Sequence, residues 1–333
     1  MSQRKQRSAG FAVYDLLVLL VVVMMLLAML YPLILRARKT SLEIRCMNNL
    51  RQLGIACHNI HNDFNIFPTG GGNAEQGRAF LRNKKPERNA PLGGVLPRGA
   101  EPLVPPEQEW GWAYQILPYI ELQALWANPQ DDVIRQTIIP PYFCPARRQP
   151  QANEKNQKGL LMAGIDYAGN GGVTGPITEF NEFKKLGYTP PYKDWTASGA
   201  VIRSSAWYPG DQRRAVSLAN IPDGSSNTIL LTEKRMQTAT IGKNPRNDDW
   251  SFADGWGNDT IVRYHPEEEK LHPAPDGKDP VADFQMGSAH DRGFAALFVD
   301  ASVRRIRYTV NPVALAAAMI RNEGLRIAPG DLE

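Results

Sequence analysis

The chain begins with a short basic stretch followed by one long run of apolar residues. Arg4, Lys5 and Arg7 precede this run, which extends from Leu16 to Leu35 without a charged residue. A helix rises ~1.5 Å per residue, so a run of this length spans ~30 Å, the thickness of the hydrocarbon core of a bilayer. The pattern therefore predicts a membrane-spanning helix near the N-terminus.

The helix is predicted to continue beyond Pro32 as an amphipathic helix. Its apolar residues recur at spacings of three and four, which place them on one face: Leu42, Cys46, Leu50, Leu53, Cys57, Ile60 and Phe64. Pro32 removes one helical hydrogen bond and is expected to kink or loosen the helix there. We expect the first half of the helix to lie in lipid and the second half to pack on a globular domain.

Residues 67–109 are rich in Pro, Gly and charge, which is typical of a long loop-rich insertion. Residues 110–126 regain apolar density and are expected to be buried, in part as a short helix. Residues 169–172 are interpreted as a turn because they contain three glycines.

Strands are predicted where short apolar runs lie between turn residues, at 228–232, 294–299 and 303–308. Asn311 and Pro312 are expected to begin a final helix, which Gly324 ends. Mixed strands with few long helices indicate an α+β body of about 260 residues beyond the membrane helix, enough for one large or two small cores.

The net charge of the chain excludes few classes of function. The 333 residues carry a formal net charge of +4, and the basic residues are scattered. Arg304, Arg305 and Arg307 form the tight C-terminal group, which we interpret as the solvated face of a strand rather than a nucleic-acid site. We therefore expect no nucleic acid as a partner.

The three cysteines limit the possible cross-links. Cys46 and Cys57 lie roughly 16 Å apart along one predicted helix, too far for a disulfide with each other. Cys144 can reach either of them, and we favour the pair Cys46–Cys144, with Cys57 as a buried apolar side chain. No Cys-x-x-Cys spacing is present, so the cysteines alone do not predict a zinc site.

Three interpretations of the N-terminal segment compete. A cleaved secretory signal would have a shorter apolar region and a small-residue cleavage site, which this run lacks. A plain signal anchor is the second interpretation. The third depends on Gly10 and Phe11, which follow the basic stretch, and on Asp15, because a carboxylate at membrane depth costs ~2.5–3.5 kcal/mol and is a functional candidate.

The segment QRSAGFAVYDLLVLL resembles the prepilin-type cleavage and methylation signal of type IV pilins and type II secretion pseudopilins. The resemblance implies that a prepilin peptidase cuts after Gly10 and methylates the new N-terminal Phe11. It also implies that Asp15 is the assembly carboxylate, which pairs with the N-terminal ammonium of a neighbouring subunit. The family has Glu at the position of Asp15.

His58, His61 and Asp63 form the first polar constellation. Two histidines at i and i+3 share a helix face, but the Glu typical of catalytic zinc helices is absent, so we interpret them as hydrogen-bonding the helix end to the following loop. No metal is expected here.

His290 and Asp300 form the second constellation, at the two ends of a predicted hairpin strand. A fully extended strand would separate them by ~25–30 Å, so a direct dyad is not expected. Asp-Gly would suit a tight hairpin turn, but Ala301 is strained in such a turn, so a different turn type is expected at Asp300 and Ala301. A Ser225, His290 and Asp300 triad can be drawn, but no nucleophile-elbow sequence supports it.

Several segments occur in an order that resembles a large bacterial family with a prepilin-type N-terminus, a domain of unknown function (number 1559) and a C-terminal His-x9-Asp-Gly signature. They are CMNNLRQLGIACHNIHNDFNIFPTG, WAYQILPYIELQALW, YFCPA, DYAGNGG, IPDGSSNTILLTE and FQMGSAHDRGFAALFVDASVRRI. Here Asp300-Ala301 replaces the Asp-Gly of the signature. The resemblance marks His58, His61, Asp223, Asn227, His290 and Asp300 as motif residues of unknown role.

Together these observations predict a basic leader (1–10), a transmembrane pilin-like helix (11–66), a loop-rich insertion (67–109) and an extracytoplasmic α+β domain (110–333). The helix is expected to pack on a mostly antiparallel, β-rich domain, in a single-pass protein of the inner membrane. The resemblance implies a structural or assembly role with the membrane, prepilin peptidase and other pilin-like subunits as partners.

The alternative is an anchored binding module for a glycan, peptide or ion. Its concave site would be lined by some of His58, His61, Trp110, Trp112, His290 and Asp300. We expect neither enzymatic activity nor a cofactor.

Overall fold

The computed structural model describes residues 13–74, 76–88, 93–155, 159, 161–174, 198–204, 215–322, 324 and 330–332. The basic leader, with Gly10 and Phe11, lies outside these residues. The chain divides into two compact units, Met1–Ile44 and Arg45–Glu333, of which we call the second the head.

One long helix, α1 (Val13–Phe64), begins the described chain and continues through Pro32, as the apolar pattern predicts. The apolar N-terminal part of α1 is exposed. Among the helices that the structure describes, α1 is the one that is long and apolar enough to cross a membrane. In the head, the predicted apolar face is buried at Cys46, Leu50, Leu53, Cys57 and Ile60.

Short elements make up the rest of the head. The strands are β1 (Phe80–Arg82), β2 (Lys85–Glu87), β3 (Glu101–Pro102), β4 (Tyr167–Val173), β5 (Ile229–Glu233), β6 (Ile261–Tyr264), β7 (Ala274–Pro275), β8 (Gly287–Ser288), β9 (Phe294–Phe298) and β10 (Val303–Ile306). The helices are α2 (Trp112–Gln115), α3 (Gln123–Trp126), α4 (Asp131–Gln136) and α5 (Pro312–Met319), with 3₁₀ turns at Leu117–Ile120, Pro140–Tyr142, Leu218–Asn220 and Glu269–Leu271.

The main sheet has the strand order β10-β9-β5-β4-β6. Every neighbouring pair is antiparallel except β4 with β6. Strands β1 to β3 form a small antiparallel sheet inside the 67–109 segment. The predicted α+β class and the mostly antiparallel sheet are therefore confirmed.

The main sheet lies between two apolar layers. Side chains alternate between the faces of a strand, and in β9 Ala295 and Leu297 join the core cluster that contains the buried face of α1. Phe294, Ala296 and Phe298 join the opposite cluster, which contains α5. The sheet is thus covered on one face by the second part of α1 and on the other by α5.

The interpretation of residues 169–172 as a turn is wrong, because these residues lie in β4, a fully buried strand next to β5 and β6. The glycines serve close packing here. A Cβ added at Gly171 would lie 2.6 Å from Ile261 Cγ2, so only glycine allows the two strands and their covering side chains to approach.

The turn at Asp300 and Ala301 does not relieve Ala301 of positive φ, although a different turn type was expected to do so. The predicted hairpin forms between β9 and β10, and Ala301 adopts φ 66°. Ala301 N donates to Phe298 O and Phe298 N donates to Ser302 O, which is the pattern of a turn followed by a one-residue bulge in the left-handed region. The hairpin register requires this conformation from an alanine.

The final helix begins as predicted. The Asn311 side chain accepts hydrogen bonds from Val313 N (2.8 Å) and Ala314 N (3.3 Å), and Pro312 occupies the first turn. The helix ends at Met319, earlier than the predicted limit.

Candidate functional site

His290 lies in the turn between β8 and β9, with its side chain only 10% exposed. Its Nε2 atom lies 3.7 Å from Cys144 Sγ and 3.6 Å from Glu233 Oε1. Tyr308 Oη donates to the His290 carbonyl (2.9 Å), and His290 N donates to Ser288 Oγ (3.2 Å). The backbone around the imidazole is therefore fixed from both sides.

Two cysteines face His290 as a disulfide. Cys46, on α1, is joined to Cys144 with a Cα–Cα distance of 5.0 Å, and this is the pair favoured from the sequence. Cys144 follows the 3₁₀ turn at Pro140–Tyr142, and its N–H donates to Asp166 Oδ2 (2.8 Å). Cys57 is a free, buried thiol, whose pKa burial raises.

Glu233 ends β5 and is completely buried. Its Oε2 accepts a hydrogen bond from Ala295 N (2.8 Å), which fixes the carboxyl group. Within the described residues, Oε1 accepts no hydrogen bond of good geometry. Burial raises the pKa of Glu233, and His290, Arg147 and hydrogen bonding from Ala295 and Ser288 oppose that rise.

The donor atoms of Cys46, Cys144, Glu233 and His290 all lie within 4.8 Å of one another, and we call these four residues the Cys-His-Glu cluster. A catalytic relay would use both ring nitrogens of His290, one toward the nucleophile and one toward the carboxylate. Here a single nitrogen, Nε2, is the atom nearest to both Cys144 and Glu233. The donor atoms of the four residues converge on one point, an arrangement that suits the coordination of a metal ion better than a proton relay.

A buried ion-pair network lies behind the cluster. Arg147 pairs with Asp276 (2.7 Å) and Asp166 (3.5 Å), and Arg148 pairs with Asp166 (2.7 Å) and Asp248 (2.6 Å). These carboxylates raise the pKa of Arg147 and Arg148, against the effect of burial.

The same network reaches the segment that carries Glu233. Lys234 Nζ lies 3.2 Å from Asp248 Oδ1, and Arg147 donates to the Lys234 carbonyl (2.7 Å). Removing one partner of a buried pair leaves an uncompensated charge, which costs ~3–5 kcal/mol. The network therefore fixes the Cys144 and Glu233 segments relative to each other.

The first polar constellation makes hydrogen bonds, but the partners are not in the loop that follows the helix, so that part of the interpretation is wrong. His58 Nε2 lies 2.8 Å from Val299 O, and His61 Nε2 accepts from Leu218 N (3.3 Å). Burial and the neighbouring His58 lower the pKa of His61. Asp63 instead accepts from Tyr119 Oη (2.6 Å). The three side chains connect α1 to different loops.

Asp223, Asn227 and Asp300 stabilise turns. Asn227 Nδ2 donates to the Asp223 carbonyl (2.9 Å), and Asp223 Oδ1 accepts from Gly324 N (2.8 Å). Asp300 Oδ1 accepts from Ser302 N (2.8 Å), and Asp300 N donates to the Ser225 carbonyl (3.0 Å). His290 has other partners, so the structure does not assemble the Ser225, His290 and Asp300 triad.

The two tryptophans of the alternative binding site are core residues. Trp110 and Trp112 are fully buried, and Trp112 Nε1 donates to Thr260 O (2.8 Å). These two tryptophans therefore do not line a surface site, whereas the other four residues of the alternative remain candidates. Asp15, the predicted assembly carboxylate, lies in the first turn of α1.

Sequence reasoning missed Glu233. It is the acidic residue that ends an otherwise apolar strand in the segment IPDGSSNTILLTE. That position was a usable signal, since an acidic residue at the end of a buried strand requires a partner. Its spatial neighbour His290 could not be inferred, because the pairing of β5 with β9 brings the two together.

Comparisons with known proteins identify a family. A family model described as "Protein of unknown function (DUF1559)" matches residues 36–313. The matched range contains the whole Cys-His-Glu cluster and begins after the apolar run. Neither a curated protein nor a solved structure matches the chain.

Proposed function

We propose, from the premise that this chain belongs to the DUF1559 family of proteins of unknown function, that it is a prepilin-like subunit anchored in the inner membrane. Its role is structural, in assembly with other pilin-like subunits, and needs no catalysis. The family match and the apolar helix indicate a membrane-anchored domain. The pilin-like role goes beyond them and is argued below.

The observation that carries the proposal is the continuity of α1. A single helix includes the apolar segment and, from Cys46 onward, the residues that form the core of the head. A plain signal anchor requires no such continuity, because a flexible linker would connect it to its domain equally well. A pilin-like subunit, in contrast, is built on one helix whose first half is apolar and whose second half packs on the globular domain.

The disulfide supports a head outside the cytoplasm. Disulfides persist in oxidising compartments and are rare in the cytosol. Cys46 and Cys144 are both completely buried and joined across 98 positions of sequence. The proposed orientation therefore places the leader in the cytoplasm and the head in the periplasm.

Leader processing tests the role. We would purify the full chain from bacteria with and without a prepilin peptidase and determine the N-terminus by mass spectrometry. We expect a methylated Phe11 as the first residue only when the peptidase is present. Gly10→Val should block the cut, whereas the matched variant Ser8→Ala should be processed normally.

An intact leader in the presence of the peptidase would leave a plain anchor and contradict the pilin-like role. Asp15 then tests assembly on processed protein. Asp15→Asn removes the charge that would pair with a neighbouring N-terminal ammonium, so cross-linking between subunits in the membrane should be lost. Asp15→Glu keeps the charge and should preserve it. Equal cross-linking in both variants would contradict the role assigned to Asp15.

A further inference from the structure

We propose that the Cys-His-Glu cluster binds one divalent cation of the zinc class whenever its two cysteines are reduced, and releases it when the disulfide forms. The proposal concerns the head alone and does not depend on leader processing. It rests on the convergence of four donor atoms from four separate segments of the chain, of which three belong to buried residues and the fourth to His290, whose side chain is 10% exposed.

The separations in the cluster already resemble those of a metal site. Ligand atoms around a tetrahedral zinc lie ~3.3–3.8 Å apart, given metal–ligand distances of ~2.0–2.3 Å. The distances from His290 Nε2 to Cys144 Sγ and to Glu233 Oε1 are 3.7 Å and 3.6 Å. The bond between Cys46 and Cys144 must open, and the remaining pairs of donor atoms already lie within 4.8 Å of one another.

The donor set selects the metal. Two thiolates, one imidazole and one carboxylate are typical ligands of four-coordinate zinc, whereas magnesium and calcium prefer oxygen ligands. Glu233 is already oriented, because its Oε2 is held by Ala295 N while Oε1 faces His290. Oε1 accepts no well-formed hydrogen bond from the described residues, so it retains a lone pair for a cation.

The ion and the disulfide exclude each other by chemistry. A dithiol reductant transfers two electrons and two protons to the Cys46–Cys144 bond and itself becomes a disulfide, which leaves two thiols in the head. Metal binding then displaces the two thiol protons, since the ligands are thiolates. In the oxidised form neither sulfur carries the negative charge required of a ligand.

Cobalt(II) titration of the full chain in detergent micelles tests the proposal. Cobalt replaces zinc in tetrahedral sites and gives thiolate-to-cobalt charge-transfer and visible d–d absorption bands. We expect these bands at one cobalt per chain after anaerobic reduction with a phosphine, followed by its removal. We expect none in the oxidised chain, and zinc should abolish the bands by competition.

Three variants separate the site from general thiol binding. His290→Ala and Glu233→Gln should each weaken cobalt binding by more than ~10-fold. Substituting a residue that only hydrogen-bonds to a metal ligand already weakens metal binding by about this factor, so removing a ligand should cost at least as much. Cys57→Ala removes the buried cysteine outside the cluster and should bind like the unmodified chain. Near-ultraviolet circular dichroism of each oxidised variant shows whether it is folded.

The oxidised and reduced forms of the unmodified chain provide the decisive comparison if a variant does not fold. A reduced, folded chain without charge-transfer bands would overturn the proposal. So would equal cobalt binding before and after reduction. Binding that survives in folded His290→Ala and Glu233→Gln, or disappears in folded Cys57→Ala, would also contradict it.

Discussion

At the scale of the residue, Ala301 adopts a backbone conformation that alanine disfavours. Its φ of 66° lies in the left-handed region, which costs an L-residue ~1–2 kcal/mol relative to the right-handed conformation. The hydrogen bonds of the β9–β10 hairpin hold it there. Ala301 is not one of the four residues of the Cys-His-Glu cluster, so its substitution leaves the ligands of the proposed site in place.

Ala301→Gly should therefore stabilise the head. Glycine adopts positive φ at no steric cost but adds freedom to the unfolded chain, so we expect a net gain of about 1 kcal/mol in the free energy of unfolding. This corresponds to a rise of ~2–4 °C in the midpoint of thermal unfolding, measured on the full chain in micelles. Ala301→Val should lower the midpoint, because a β-branched residue is least compatible with this conformation. A fall with glycine would show that Ala301 is not strained.

At the scale of the element, α1 and β9 pack unusually closely at Gly54. A Cβ at this position would lie 2.7 Å from Leu297 Cδ1 and 2.9 Å from Leu297 Cδ2. In an exposed helix, Gly→Ala gains ~1 kcal/mol from helix propensity. In the head, the contact with the buried Leu297 decides the outcome.

We expect Gly54→Ala to destabilise the head by ~1–3 kcal/mol, the usual cost of overpacking a core. Thermal unfolding measures the change, and Leu297→Val in the same chain is the matched second variant, because it removes a methylene where the new methyl group would lie. The double variant should be less destabilised than the sum of the two single variants. Strict additivity would show that the two side chains do not compete for space.

At the scale of the whole molecule, the disulfide connects Cys46 on α1 to Cys144, which follows the 3₁₀ turn at Pro140–Tyr142. The two cysteines are separated by 98 positions, and a cross-link that closes so long a loop removes much freedom from the unfolded chain. The proposed location of the head outside the cytoplasm rests on this bond, and the proposed cation site contains both of its cysteines.

Replacing Cys46 and Cys144 together by alanine should lower the free energy of unfolding by about 2–4 kcal/mol. The unfolding midpoint in micelles should fall by ~5–10 °C, and a dithiol reductant should then have no further effect on it. Cys57→Ala is the control, since this buried thiol forms no cross-link. A fall as large in Cys57→Ala would show that lost packing, and not the cross-link, explains the result.

The sequence by itself determined the features that depend on near neighbours. The apolar run and the three-and-four spacing define α1, the β9–β10 hairpin follows from two adjacent apolar runs, and Asn311 with Pro312 marks the start of α5. In each case the residues that make the contacts are only a few positions apart. Helical periodicity and capping are visible within such a window.

Only the tertiary structure decided the rest. The glycine-rich sequence of β4 indicated a turn when only neighbouring residues were considered. In the structure these glycines are buried beside Ile261 and belong to a strand inside the sheet. His290 was visible as a motif residue, yet its partners Glu233 and Cys144 lie far away in sequence and meet it through strand pairing and a loop. Long-range pairing leaves little trace in a single sequence, because each segment satisfies its own pattern whichever partner it finds.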